Sequence, residues 1–294
     1  MSVQPSELAA AATPGVTAQL LRRIGGDPLG LMGLALVLVV VFCGLFAPWI
    51  TPFDPFRIAV PDRLQPPTLL HWFGTDELGR DIFSRVIMGS RIALSVGIST
   101  IGMALCLGLL LGLVAGYGPR WLDNLLMLVF DSVYSFPVVM LGLTVATLLG
   151  ASIATLMLVV VVVQTPAYGR VTRTATLSIR NSEYVQAVRA LGASPWRIIG
   201  IHILPNVVGP LLIIASMDIP SVVALEAGLT YLGMGIPPPA PSWGRILQEG
   251  YILIREAPWI VVAGGIPLII TTLGFTFLGE SLRDLLDPRL RRVV

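Results

Sequence analysis

Apolar positions along the chain fall in blocks longer than a soluble fold uses. Between Asp27 and Asp54 there is no charge, and Leu29 to Ile50 is nearly all aliphatic. A second charge-free run, Ile92 to Pro119, lies between Arg91 and Arg120 and ends in the breaker Gly116-Tyr117-Gly118-Pro119. A third region, Trp121 to Tyr168, carries only Asp123 and Asp131. Crossing about 30 Å of hydrocarbon takes roughly 20 apolar residues. As one helix the third region would reach roughly 70 Å, so it must fold back. Leu149-Gly150-Ala151-Ser152 is the best turn and predicts spans three and four on either side. A fifth stretch, Ile203 to Tyr231, holds Asp218 and Glu226 and is broken by Pro205, Pro210 and Pro220. A Pro-rich segment, 236–241, separates it from a sixth span, Pro258 to Leu278.

This pattern predicts an all-α polytopic membrane protein with six transmembrane helices. It divides the chain into a cytoplasmic segment 1–28, a first span 29–50, an extracytoplasmic segment 51–91, a core 92–280 and a cytoplasmic tail 281–294. The core carries an inner loop at 181–202. The first apolar run exceeds the usual signal-peptide core of about 7–15 residues and no small-x-small cleavage site follows it, so it reads as a retained span. Phe42 before Cys43 also spoils a lipoprotein-type site. Six spans put both ends on one side. With the N-terminus inside, inner segments hold twelve Arg and outer segments seven, which favours both termini in the cytoplasm.

Composition sharpens this picture. The 294 residues are 55% hydrophobic and 12% charged, against about 25% charged for ordinary soluble domains. All 19 cationic residues are Arg. Without Lys there is no phosphate-binding loop of the Walker type and no Schiff-base chemistry. Cys43, Cys106, His71 and His202 are too few for a Cys/His metal cage. A net charge of +2 without a basic, aromatic-rich run argues against nucleic-acid binding.

Two polar segments hold the candidate chemistry. On the outer side, Thr75 reads as an N-cap with Asp76 and Glu77 in a first turn, and Asp81 and Arg85 stand at i, i+4 pairing distance. The segment is either a solvated helix leading into span two or an outer docking surface carried by Thr75, Asp76, Arg80 and Asp81. On the inner side, Ser182 caps a helix whose first turn holds Glu183. Tyr184, Ala187, Val188 and Leu191 share one face, and Gly192 stops the helix. Ser194-Pro195 starts another. This helix–Gly–helix is either an interfacial anchor or a lever fitting a groove on a cytosolic partner.

Gln186-Ala187-Val188, then Gly192, then Leu204-Pro205 resemble the cytoplasmic EAA loop of ABC importer permeases, with Gln186 in place of the Glu and His202 in place of the Ile. The stretch Glu183 to Asn206 is similar to the version in dipeptide, oligopeptide and nickel permeases. Gly74 to Asp81, Ser132 to Pro137, and Glu226 to Gly235 with Ser242-Trp243-Gly244 resemble the second-type subunit of those systems. The resemblance runs from about Asp27 to Pro288. It implies the type I ABC importer permease fold, a homologous permease as heterodimer partner, two cytosolic ATPases and an extracytoplasmic solute-binding protein. It places ATP and Mg in the ATPases, with no cofactor in this chain. By position, Gln186, Ala187, Gly192 and Pro205 become coupling residues, Glu183 could supply the charge Gln186 lacks, and a side chain at Gly192 would clash or stiffen the turn. The implied solute is peptide-like; nickel chelates, glutathione and opines are carried by systems with the same motifs.

Intramembrane carboxylates normally face protein or water. Asp131, Asp218 and Glu226 are therefore candidates for a translocation path. Asp131 equally suits pairing with an Arg of a neighbouring helix, and Asp218 and Glu226, about two turns apart, suit interhelical hydrogen bonds. The same acids would serve a stand-alone secondary transporter, the alternative reading, although no inverted repeat is visible. An intramembrane enzyme would need a nucleophile, base or metal cluster at one depth, and the chain shows none.

Overall fold

The computed structural model describes residues 27–286, with side chains through 283. Of the expected cytoplasmic segment 1–28 only 27–28 are among the described residues; of the expected tail 281–294, residues 281–286 are described and continue α9, and the rest lie outside. The first helix, α1 (Pro28–Ile50), begins at Asp27, whose carboxylate caps the Leu29 N–H, and has Pro28 in its first turn. It packs along the last helix, α9 (Pro258–Leu286). Glycines permit this approach: a Cβ on Gly33 would lie 2.5 Å from the Leu278 nitrogen.

The second helix, α2 (Ile82–Tyr117), is 36 residues long and crosses the molecule against α5 (Ile153–Arg180). Gly108, Gly112 and Gly116 fall on one stripe of α2 and receive Tyr168, Gly169, Thr172 and Thr176 of α5. Small residues at this spacing let two backbones touch, which is how spans associate where lipid removes the hydrophobic drive. The main core, including Leu156, Val160, Tyr168, Ile198, Ile203 and Val222, is built around this pair.

Span three departs from expectation. The stretch after Arg120 forms two helices, α3 (Arg120–Tyr134) and α4 (Val138–Leu149), bent by 89° at the break between them. Pro137 lacks an N–H and forces the preceding residue out of helical geometry, so the chain turns at Ser135-Phe136-Pro137. The second turn is where expected: Gly150 has φ +83°, and Ser152 caps α5 by accepting from Thr155 N–H. α5 does not stop at Tyr168 but continues to Arg180, which puts Arg170 and Arg173 on a helix rather than in a loop.

Span five is also more regular than its prolines suggest. After the short helix α6 (Glu183–Ala190), a single helical path, α7, runs Pro195–Tyr231. Pro205 falls near the join of a π-helical turn, Ile198–Ile203, with regular helix, and Pro210 and Pro220 lie inside without breaking it. A short helix, α8 (Trp243–Ile252), then packs against α9. Among the described residues five helices are long and apolar enough to cross a membrane, six if the bent α3–α4 pair is one broken span.

Candidate functional site: an inner elbow and an outer polar latch

The inner segment is an elbow. Gly192 has φ +84°, its N–H reaches Arg189 O at 3.0 Å, and the Ala193 N–H reaches Val188 O at 3.3 Å. The left-handed conformation is what glycine supplies here. The expected clash is absent: no atom stands within 4 Å of a Cβ built at Gly192. Backbone conformation alone therefore selects glycine. The second arm starts as expected, with Pro195 in the first turn and Ser194 Oγ accepting from Arg197 N–H. Ser182 occupies the first arm's cap position, but its hydroxyl donates to Ile179 O at 2.6 Å instead of capping.

The apolar face read from the sequence is mostly exposed. Val185 is fully buried and Val188 half-buried, whereas Tyr184 and Ala187 are exposed and Leu191 is 88% exposed. Trp196, on the second arm, is 83% exposed. The i, i+3 pair Val185–Val188 was the available signal for the inward side. The elbow is held from behind: Arg180 donates to Gly116 O and Tyr117 O at 3.2 Å, and Arg180 and Arg189 lie over the Tyr117 ring at 5.4 and 5.9 Å. Gln186 spends its amide on Asn181 O at 3.0 Å, and Glu183 is exposed in the first turn of α6. Pro205 sits in the helix above.

The outer residues also differ from expectation. Thr75, Asp76, Arg80 and Asp81 are all buried, so their own side chains do not form an exposed docking surface. The helix begins at Ile82, not after Thr75. Gly79, at φ +74°, turns the chain back so that Thr75 and Asp81 form an antiparallel bridge. Asp81 caps α2 by accepting from Ser84 N–H at 2.8 Å and meets His71 Nδ1 at 2.9 Å. It does not pair with the Arg85 side chain. Asp76 takes that role, accepting from Arg80 Nε at 2.6 Å and standing 3.4 Å from Arg85 Nη1. Glu249 of α8 closes the cluster, 3.1 Å from Arg85 Nη2 and 3.4 Å from Arg80 Nη2. Trp243 Nε1 donates to Val86 O at 3.0 Å beside it. By sequence His71 is weighed only as a metal ligand, Arg85 is paired with the wrong acid, and Glu249 is not singled out; Glu249 is 164 positions from Arg85, and no local spacing links them.

Of the intramembrane acids, Asp131 pairs with Arg170 at 2.6 Å on an exposed face, with Arg170 over the Tyr134 ring at 4.6 Å. Asp123 makes a second pair with Arg173, 2.7 Å at Nη2. Both bonds tie α3 to the C-terminal half of α5. Asp218 is half-buried and accepts from Tyr168 OH at 2.8 Å. Glu226 is 1% exposed; its Oε1 accepts from Thr230 at 2.9 Å and its Oε2 has no hydrogen-bond partner among the described residues.

Comparison with known proteins agrees with this arrangement. Residues 108–292 match the family described as binding-protein-dependent transport system inner membrane component, and residues 17–67 match the N-terminal TM domain of oligopeptide transport permease C. The chain belongs to this family of membrane-spanning permease components of ABC importers. It is 36% identical over 92% of its length, and 89% of the relative's, to the dipeptide transport system permease protein DppC of Alkalihalophilus pseudofirmus. It is 37% identical over 88% of each chain to the di/tripeptide transport system permease protein DppC of Pseudomonas aeruginosa. The glutathione transport system permease protein GsiD of Escherichia coli is 36% identical, covering 92% of this chain and 89% of its own. Among solved structures, the inward-facing MetNI methionine ABC transporter matches with a TM-score of 0.57 at 18% identity, over 70% of this chain and 98% of that one. That likeness is one of fold. The stand-alone carrier and the intramembrane enzyme are set aside by this membership.

Proposed function

We infer that this chain forms, with a homologous permease, the path by which a peptide-like solute enters the cell from an extracytoplasmic binding protein. Two cytosolic ATPases, which hold the ATP and Mg, drive it. Both termini are cytoplasmic in this reading, as the Arg distribution favours. The observation that carries it is the inner elbow: two helical arms rigidly joined at Gly192, anchored inward by Val185, presenting Tyr184, Leu191 and Trp196 to solvent. Exposed aromatic and aliphatic side chains on a stiff element suit insertion into a groove on a protein partner. The peptide class is supported by the names of the relatives.

In this mechanism the ATPases close on ATP and draw the two permease elbows together, opening the outer side; hydrolysis resets it. Such coupling works only through differential binding to the two states. Gln186, Ala187, Gly192 and Pro205 shape the elbow, and Glu183 offers the charge that Gln186 lacks. The outer latch fixes the start of α2 against α8, so the outer surface docks the binding protein as one body.

The test is purification of the complex with its ATPases and reconstitution with the binding protein. ATP-dependent uptake of labelled dipeptides is expected, and Leu191→Glu should release the ATPases while the permease pair stays intact. Uptake without ATPases, or full ATPase retention by the Leu191→Glu complex, would sink the reading.

A further inference from the structure

The extracytoplasmic segment carries an apolar tip that the transport reading does not use. Leu69 is 98% exposed, and Leu70 and Trp72 are more than half exposed. This is not a floppy loop. Thr68 N–H donates to His71 O at 2.8 Å, the His71 N–H donates to Thr68 Oγ1 at 3.0 Å, and Gly74 N–H donates to His71 O at 2.9 Å. Leu69 and Leu70 are thus the two central residues of a tight turn. His71 behind them is buried, bonded to Asp81 and packed on Phe53 at 4.8 Å between ring centroids. A stable turn that projects two leucines gains nothing from water.

Its height is fixed by its neighbours. A shallow groove joins Leu69, Leu70 and Trp72 to Pro52 and Phe53, the residues that follow the end of α1 at Ile50. Phe53 N–H donates to Ser84 Oγ at 3.2 Å, which ties this level to the first turn of α2. Trp72 packs edge-on against Phe83 of the same turn at 4.8 Å. On α1 an exposed aromatic ladder, Phe42, Phe46 and Trp49, has ring centroids 4.8 and 5.9 Å apart, and Trp49 is 77% exposed. Trp at a span end marks the headgroup level. Pro52 and Phe53, which the turn meets in the groove, follow Trp49 by three and four residues.

We propose that the Leu69–Leu70 turn, with Trp72, seats in the headgroup region of the outer leaflet as an interfacial anchor beside the first span. The occupant is lipid, because Pro52 and Phe53 link the tip to the exposed aromatic end of a helix long and apolar enough to cross a bilayer. The anchor holds the outer latch at a set height against the bilayer.

The experiment uses the assembled complex with Cys43 and Cys106 replaced by Ala, and Leu69→Cys carrying an environment-sensitive fluorophore. The complex is reconstituted in phosphatidylethanolamine–phosphatidylglycerol vesicles. Lipids bear a nitroxide on the headgroup, high on the acyl chain, or near its end. The expected result is blue-shifted emission, with the greatest loss of intensity from the headgroup and shallow nitroxides. Leu38→Cys in mid-span, 57% exposed, should lose most intensity to the deep nitroxide. Quenching should not change when loaded binding protein is added. Water-like emission without quenching overturns the proposal, as does emission that shifts only with binding protein or only with the partner permease. Nitroxide lipid in both leaflets reports the contact whichever way the chain is oriented. An impermeant thiol reagent applied outside reports the side, so a wrong topology is told apart from a wrong anchor.

Discussion

Asp76 accepts from Arg80 Nε at 2.6 Å, and both side chains are almost wholly out of water. Arg85, 1% exposed, stands 3.4 Å from the same carboxylate. One acid therefore answers two buried guanidiniums, with Glu249 as second acid. Removing one partner from a buried charge cluster costs about 3–5 kcal/mol, because the charges left behind stay desolvated. Asp76→Asn should accordingly lower the melting temperature of the purified complex steeply and reduce its yield in membranes. Glu77→Gln, one residue on, should leave both unchanged. Equal melting of Asp76→Asn and the parent would show that the cluster does not hold the outer segment.

Gly192 gives a second prediction. The space around it is open, so the penalty for a side chain is one of backbone conformation, about 1–2 kcal/mol for an L-residue in the left-handed region. Gly192→Asn should be better tolerated than Gly192→Val, since Asn visits that region more readily. The readout is substrate-stimulated ATPase activity of the assembled complex, which should fall in the order Gly, Asn, Val. A Val variant as active as the parent would mean that the elbow does not transmit ATPase closure.

The order of spans, the inner elbow and its Gly stop were legible because each is local. A charge-free run, a Gly after an apolar stretch and a Ser-Pro pair act over a few residues. What escaped was tertiary. The inward face of α6 depends on which side meets α5 and the π-helical start of α7, so Val185 is buried while Tyr184 and Leu191, on the apolar face read from the sequence, are exposed. The outer carboxylates looked like a first helical turn, yet Gly79 reverses the chain and Asp81 becomes the cap. The partner of Arg85 sits on α8, across the whole core. The prolines of α7 read as breaks because nothing local in the sequence tells a proline that ends a helix from one carried inside it.

Close backbone contact between α2 and α5 yields a paired prediction. A Cβ at Gly112 would lie 2.5 Å from the Gly169 carbonyl oxygen, whereas Gly102 on the same helix has no atom within 4 Å. Gly112→Ala must push the helices apart, at a cost of about 1–3 kcal/mol. Gly102→Ala should be neutral or stabilise by about 0.5–1 kcal/mol through helix propensity. Thermal denaturation of the two purified complexes, followed by tryptophan fluorescence, separates them. Equal melting would place the α2–α5 contact elsewhere.

Tyr168 and Asp218 allow the path hypothesis to be split from a structural one. Tyr168 is fully buried and donates to Asp218, whose carboxylate is half-buried on α7. Tyr168→Phe deletes the bond and leaves the acid unpartnered. A hydrogen bond to a charged group contributes about 1.5–3 kcal/mol, so this variant should melt earlier. Asp218→Asn keeps an acceptor oxygen for Tyr168 and removes the charge, so the fold should persist. If the carboxylate draws the free amine of a peptide, Asp218→Asn raises KM for free peptides while N-acetylated peptides are transported as before. The measurement is initial uptake by reconstituted complexes at equal ATPase content. Unchanged KM in Asp218→Asn together with early melting of Tyr168→Phe would assign the pair to interhelical packing and remove Asp218 from the path.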